Sequence, residues 1–176
     1  MHLKLVDKYY FINTLDTNNL KNQNKQTTII YRNYKSSRIN ENKLLKFKKF
    51  CQKRGNKFLL ANNFKLALKL GLNGVYIPSF NNKFNHLSYK TYVNFIVVGS
   101  AHNLKEIRIK EKQKVSEIFL SSIFKGNRNY LGINKFKIIS DYSEKKIVAL
   151  GGVSKKNIHL IKLTKSIGFA GISFFE

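Results

Sequence analysis

Residues 57–77 read KFLLANNFKLALKLGLNGVYI and contain one complete strand–helix–strand unit. The apolar runs 57–61 and 74–77 are short and typical of buried strands. Between them, Asn62 and Asn63 can cap a helix, apolar side chains recur on one helical face, and Gly71 ends the helix. This pattern predicts two parallel strands, because parallel neighbours need a crossover connection of this kind.

The same alternation continues in both directions along the chain. Eight apolar runs are predicted as strands, at 8–13, 27–32, 57–61, 74–77, 94–98, 116–120, 146–150 and 169–174. Helices are predicted at 41–53, from Asn62 to Gly71, at 103–113 and at 154–166 with Ser154 as N-cap, and residues 128–143 form an irregular or helical connection. We therefore expect one domain over residues 1–176, an α/β fold built as a compact (β/α)8 TIM barrel that lacks its last helix. The alternative is an open doubly wound sheet, although no Gly-x-Gly-x-x-Gly follows the first strand as a dinucleotide-binding version would require.

The net charge of the chain is large, but it says less about the class of binding partner than its magnitude suggests. Lys and Arg number 33 against 9 acidic residues, which gives a net charge of +24 over 176 residues. Only five of the 33 are arginines, and the lysines are spread along the chain, as an AT-rich coding sequence would produce. We therefore do not expect a nucleic-acid partner, whereas a phosphorylated small substrate would be served by the same positive field.

The remaining composition favours a cytoplasmic protein without a membrane span. No apolar run reaches eighteen residues, and no signal-peptide pattern opens the chain. The single cysteine, Cys51, lies on an apolar helical face and is predicted to belong to the core. A barrel without its last helix would leave an apolar flank that a second copy of the chain could cover, as a homo-oligomer.

Five short segments, in this order, resemble the thiamine-phosphate synthase and TenI-type superfamily. They are LALKLGLNGVYIP at 66–78, VGSAHNLKE at 98–106, IFLSSIF at 118–124, IVALGGVSKKN at 147–157 and GFAGIS at 168–173. Each segment alone is common, and their order and spacing together carry the resemblance. It extends from about residue 57 to the C-terminus, with weaker support from 8–35.

The resemblance implies a barrel enzyme of thiamine biosynthesis. Such enzymes are transferases that couple an aminopyrimidine pyrophosphate to a thiazole phosphate, and Mg²⁺ assists the departure of pyrophosphate. Two alternatives stay open: a metal-free, TenI-like thiazole tautomerase, and a non-catalytic barrel that binds a phosphorylated metabolite. They stay open because Asn63 and the uncharged segment 79–82 stand where the family has metal-binding aspartates.

The candidate catalytic residues are Ser100 and His102, which follow the fifth predicted strand. The carboxyl ends of barrel strands line the active face, and by resemblance both residues contact the substrate there. In a tautomerase, His102 would act as acid and base. The alternative is a polar strand end that only caps the following helix.

The candidate phosphate-binding residues lie after the last two strands. Gly151 and Gly152 would let backbone N–H groups approach a phosphate at a helix N-terminus, and Ile172 and Ser173 stand at the neighbouring strand end. The alternative reading of the two glycines is a tight turn between strand and helix.

Four further residues complete the candidate site. Arg32, Asn62 and Arg128 are candidates for binding the pyrophosphate or phosphate groups. Asn63 is the candidate Mg²⁺ ligand, and its alternative role is a helix N-cap.

Overall fold

A computed structural model of the chain describes residues 7–21, 23–34, 39–125 and 130–176. Its eight strands form a closed parallel barrel in chain order: β1 (Asp7–Ile12), β2 (Thr27–Tyr31), β3 (Phe58–Ala61), β4 (Gly74–Ile77), β5 (Ile96–Ala101), β6 (Glu117–Ser121), β7 (Lys146–Leu150) and β8 (Gly168–Gly171). The pairing of β1 with β8 closes the circle, with Tyr9 opposite Ala170. The expected (β/α)8 barrel is confirmed.

The helical layer outside the barrel is uneven. In the described ranges, the α-helices are α1 (Glu41–Arg54), α2 (Phe64–Lys69), α3 (Leu104–Lys112), α4 (Gly132–Asp141) and α5 (Ile158–Ile161). Within their described residues, the connections after β1 and β4 contain 3-10 turns, Asn18–Leu20 and Asn85–Ser88, in place of an α-helix. The long irregular connection after β4 therefore covers a part of the barrel that a helix covers elsewhere. None of these helices has both the length and the apolarity needed to cross a lipid bilayer.

The ends of β5 and β8 differ from the expectation. β5 runs to Ala101 rather than ending near residue 98, because Gly99 and Ser100 pair with Ile118 and Phe119 of β6. Ser100 therefore lies within a strand and not after it. β8 ends at Gly171, so that Ile172 and Ser173 follow the strand instead of belonging to it.

The helix expected at 154–166 is reduced to a single turn, α5, and its N-cap position is Asn157 rather than Ser154. The N–H of Ser154 donates to Asn157 Oδ1 at 2.8 Å, which ties this segment into a turn. At the other end, the Thr164 hydroxyl donates to the carbonyl of Ile161 at 2.7 Å and stops the helix. A helix this short supplies no appreciable macrodipole, so phosphate binding at the glycines stays a prediction that depends on their backbone N–H groups and not on a helix dipole.

The inside of the barrel is packed with aromatic side chains. Tyr9 and Phe11 of β1 contact Phe119 of β6, with ring centroids 4.7 and 6.0 Å apart respectively. Phe11 also meets Tyr76 of β4 edge-on at 5.0 Å. A second apolar layer lies between the strands and the helices and includes Cys51, which is buried as expected.

Candidate active site

The carboxyl end of the barrel contains a small cavity directly above Phe11. Its volume is about 180 Å³, and its lining includes Arg32, Gly151, Gly152, Ile172 and Ser173. The Arg32 guanidinium lies over the Phe11 ring, 4.7 Å from the ring centroid, which holds the charge at the mouth of the barrel. Residues from both ends of the sequence thus meet in one cavity with one fixed cation.

The two glycines shape this cavity through their backbone. Gly151 has φ 97° and Gly152 has φ 69°, a region that residues with a Cβ rarely adopt. A Cβ on Gly151 would lie 2.2 Å from Ser122 Oγ and 2.8 Å from Ser122 Cα. Successive N–H groups in such turns form concavities that suit anions.

Hydrogen bonds on both sides hold the glycine turn in place. Phe124 N–H donates to the carbonyl of Gly151 at 3.1 Å, and the Asn157 amide donates to the carbonyl of Gly152 at 2.8 Å. We call Gly151, Gly152, Ile172 and Ser173 the glycine side of the site. It is built from backbone geometry rather than from charged side chains.

Ser100 lies below this cavity, inside the barrel. Its hydroxyl accepts a hydrogen bond from Tyr76 Oη at 2.8 Å, and the residue is buried. Burial raises the pKa of Tyr76, which therefore remains a neutral donor. The edge-on contact of Tyr76 with Phe11 connects Ser100 to the floor of the Arg32 cavity.

His102 is held by the start of α3. Its ring Nδ1 lies 2.9 Å from Glu106 Oε2, and its backbone N–H donates to the same oxygen at 2.8 Å. Asn103 caps the helix by accepting from Glu106 N–H at 3.0 Å. The geometry thus contains the capping arrangement foreseen as the alternative, and it also orients an imidazole by a carboxylate, as acid–base sites require. Neither His102 nor Ser100 lines the cavity of Arg32.

A second group of polar side chains lies after β3 and β4. Asn62 adopts φ 59°, and its Oδ1 accepts from the Asn81 amide at 2.6 Å. Asn63 Oδ1 accepts from Leu66 N–H at 3.0 Å and caps α2. We call Asn62, Asn63 and Asn81 the amide side of the site. Asn62 and Asn63 line two shallow cavities of about 220 and 400 Å³, and Asn81 lines the smaller one.

The amide side does not fit the magnesium ion that the resemblance implies. Mg²⁺ favours carboxylate oxygens in near-octahedral geometry. Here Asn63 Oδ1 caps α2 and Asn62 Oδ1 accepts from Asn81, so both candidate oxygens already have partners. In the described part of the chain, no three His, Cys, Asp or Glu side chains converge in a way that could hold a metal ion.

Sequence reasoning missed a buried lysine behind the amide side. Lys110 of α3 has no exposed surface, and its Nζ donates to the carbonyls of Pro78 and Asn81 at 2.9 and 2.8 Å. Burial lowers its pKa to about 8. The available signal was positional: Lys110 falls three residues after the buried Ile107, on the apolar face of its helix.

Arg128 lies outside the described residues, so its candidate role stays a prediction. Among the other candidates, the Arg32 cavity brings together Arg32, Gly151, Gly152, Ile172 and Ser173. Ser100 lies inside the barrel, and His102 lies just before α3. Asn62 and Asn63 belong to the amide side.

Comparisons with known proteins agree with this architecture. The sequence profile of the family described as thiamine monophosphate synthase matches residues 12–175. A protein of Aquifex aeolicus with the provisional name thiamine-phosphate synthase 2 is 31% identical over 138 residues, which cover 76% of this chain and 74% of that protein. The thiamine-phosphate synthase of Helicobacter pylori is 26% identical over 136 residues, covering 73% of this chain and 62% of that enzyme.

The solved structures show the same fold. Thiamine phosphate pyrophosphorylase from Pyrococcus furiosus superposes with a TM-score of 0.73 at 19% identity, over 96% of this chain and 86% of that one. FabK from Thermotoga maritima also reaches 0.73 at 10% identity, covering 98% of this chain and 60% of its own. The fold alone is therefore shared with enzymes of other names, whereas the profile match spans nearly all of the chain. The chain belongs to the thiamine monophosphate synthase family, a transferase family of thiamine biosynthesis.

Proposed function

We propose that this chain couples an aminopyrimidine pyrophosphate to a thiazole phosphate with loss of pyrophosphate. The single observation that carries the proposal is the cavity of about 180 Å³ in which Arg32, the glycine turn and Ser173 meet. In the reaction, the thiazole nitrogen forms a bond to the pyrimidine methylene, and the methylene–oxygen bond breaks. The electron pair leaves with pyrophosphate, whose charge needs a cation beside it.

The residues have distinct roles in this proposal. The N–H groups of the glycine turn and the Ser173 hydroxyl bind the thiazole phosphate. Arg32, fixed over Phe11, faces the leaving pyrophosphate, and Asn62 binds the same substrate from the amide side. Ser100 and Tyr76 close the barrel beneath the reacting rings and exclude water.

A second candidate function is a thiazole tautomerase that uses no metal. The pairing of His102 Nδ1 with Glu106 at 2.9 Å favours it, together with the amide character of the second side. His102 would take a proton from one ring position and return it at another, with no net change in atoms. Loss of activity in His102→Ala, with thiazole phosphate binding retained, is the expected result for this function.

Calorimetric titration and a product assay separate these functions. The protein is titrated with thiazole phosphate and with aminopyrimidine pyrophosphate, each with and without Mg²⁺, and then assayed for thiamine phosphate. Binding of both compounds with product formation supports the synthase. Thiazole phosphate binding alone, indifferent to Mg²⁺, supports the tautomerase if the thiazole isomerises, and the non-catalytic binding protein if it does not. Binding of neither compound contradicts all three.

A further inference from the structure

The buried ammonium of Lys110 is fully satisfied by uncharged oxygens. Besides the carbonyls of Pro78 and Asn81, it donates to Gln113 Oε1 at 2.8 Å. A lysine without exposed surface is costly unless all its donors are bonded, and here three donors meet three acceptors. The Lys110 ammonium therefore holds the chain segment after β4 in place from inside the protein, as a bound metal cation could do.

Gln113 extends the same anchor along that segment. It is fully buried, and its amide donates to the carbonyls of Asn81 and Lys83 at 2.9 and 2.8 Å. The His86 ring nitrogen lies 2.9 Å from the Gln113 carbonyl. Residues 78–84 belong to no helix, and the 3-10 turn Asn85–Ser88 begins only after them, so these contacts with α3 and the residues after it determine their path.

Gly99 provides the space for this arrangement. A Cβ at this position would come within 2.8 Å of Lys110 Cδ, so the lysine stem passes over a strand position that has no side chain. The same glycine lies in the segment 98–106 that resembles the family. The path of the Lys110 side chain therefore requires a residue without a side chain at position 99.

The anchored segment forms one wall of the amide side. Asn81 donates to Asn62 Oδ1 at 2.6 Å, and Phe80 meets Tyr34 edge-on with centroids 5.4 Å apart. The carbonyl of Asn81 accepts from both Lys110 and Gln113, so the backbone that carries this amide is held from behind. Loss of the Lys110 ammonium would remove one of the two donors to the Asn81 carbonyl.

We propose that Lys110 is the positioning residue of the amide side, and that it fixes the loop 78–86 so that Asn81 and Asn62 can bind the aminopyrimidine substrate. This inference rests on the proposed function. Lys110 touches neither substrate and acts only through the loop. In this chain, an internal ammonium thus orders the part of the site where a metal ion and its carboxylates would otherwise give order.

The test combines hydrogen exchange of the free protein with ligand titration. Lys110→Met removes the ammonium at nearly constant length, and Lys112→Met, at an exposed position of the same helix, is the matched control. We expect faster exchange at 78–86 in Lys110→Met only. We also expect its affinity for aminopyrimidine pyrophosphate to fall about tenfold, the equivalent of one lost hydrogen bond. Its affinity for thiazole phosphate should stay within about twofold of wild type, since the glycine side lies elsewhere and makes no contact with Lys110 in the lining of its cavity.

The outcomes are separable. Unchanged exchange at 78–86 in Lys110→Met overturns the proposal, and so does an equal loss of affinity for both ligands. If Lys110→Met does not fold, Gly99→Ala places a Cβ within 2.8 Å of Lys110 Cδ, displaces the lysine stem, and must give the same faster exchange and the same selective loss. A wild-type protein that binds no aminopyrimidine pyrophosphate contradicts the proposed function itself, and the role of Lys110 falls with it.

Discussion

The glycine side and the amide side of the barrel rim are built on different principles. The glycine side depends on backbone geometry, with two residues at positive φ and one turn held by Asn157. The amide side depends on side chains, and its loop is held by Lys110 and Gln113. The first side lies in two of the segments that resemble the family, 147–157 and 168–173, whereas the second has amides where the resemblance implies carboxylates. A backbone site tolerates few substitutions, while a side-chain site can be rebuilt residue by residue.

Gly151→Ala should break the glycine side with the largest effect. The new Cβ would meet Ser122 within 2.2 Å and hold a residue at φ 97°. We expect a loss of about 3 kcal/mol in the free energy of unfolding from strain and overpacking, and no measurable thiazole phosphate binding. Urea denaturation and calorimetry check both.

The control for that substitution is Gly55→Ala. Gly55 also has positive φ, 77°, but a Cβ there would meet nothing closer than 3.9 Å. Gly55→Ala should lower the free energy of unfolding by only about 1 kcal/mol. Its affinity for thiazole phosphate should stay unchanged. Equal behaviour of the two variants would show that the close approach to Ser122 has no part in the site.

Arg32→Gln should lower the affinity of the protein for both substrates by about 10- to 100-fold, the effect of losing a charge-assisted hydrogen bond. The fold should persist, because Arg32 rests on Phe11 rather than inside the core. Arg54→Gln is the matched control: Arg54 also lies over a phenylalanine ring, Phe50, but donates to carbonyls before β2. Titration with thiazole phosphate and with pyrophosphate measures the change in affinity. An equal loss of affinity in Arg32→Gln and Arg54→Gln would mean that the effect comes from the net charge of the protein and not from the position of Arg32.

The difference between the two sides also explains what the sequence could predict. Apolar runs and glycines report local backbone demands, so the strand order and the Gly151–Gly152 turn followed from the sequence. Lys110 was not recognised, because a lysine on a helix is usually solvated and two of its three acceptors are backbone carbonyls 32 and 29 residues away. The sequence predicted a longer helix in place of α5 because the end of this helix depends on a hydrogen bond of Thr164. Nothing in the sequence distinguishes Thr164 from any other polar residue of a helix.

A pH titration of stability tests the anchor of the amide side. The pKa of Lys110 is about 8 in the native state against an ordinary 10.5, so between these values the unfolded chain binds a proton that the native chain does not. Stability from this group therefore increases as pH rises from 8 towards 10.5 and is lost as pH falls through 8. The wild-type free energy of unfolding, minus that of Lys110→Met, should increase by about 1–2 kcal/mol between pH 8 and pH 10. Urea denaturation at these pH values measures it, and a flat difference would mean that Lys110 stays charged in the fold.

The smallest effect is expected at the opposite end of the barrel, which neither side uses. Burial raises the pKa of Glu117, whose Oε2 accepts from Tyr9 Oη at 2.5 Å. A raised carboxyl pKa means that the native state holds the proton longer, so stability from this group is lost as pH rises through the native pKa. Glu117→Gln keeps an acceptor for Tyr9 and should gain less than about 1 kcal/mol of stability at pH 7, with no gain at pH 3.

Thiazole phosphate affinity should not change in Glu117→Gln, because the Arg32 cavity lies at the other end of the barrel. The two ends nevertheless share one aromatic interior: Phe119 contacts both Tyr9, which binds Glu117, and Phe11, which supports Arg32. A fall in phosphate affinity would therefore mean that this packing transmits strain between the ends. Phosphate affinity would then depend on more than the backbone of the glycine side, because Arg32, which lines the same cavity, rests on the barrel interior.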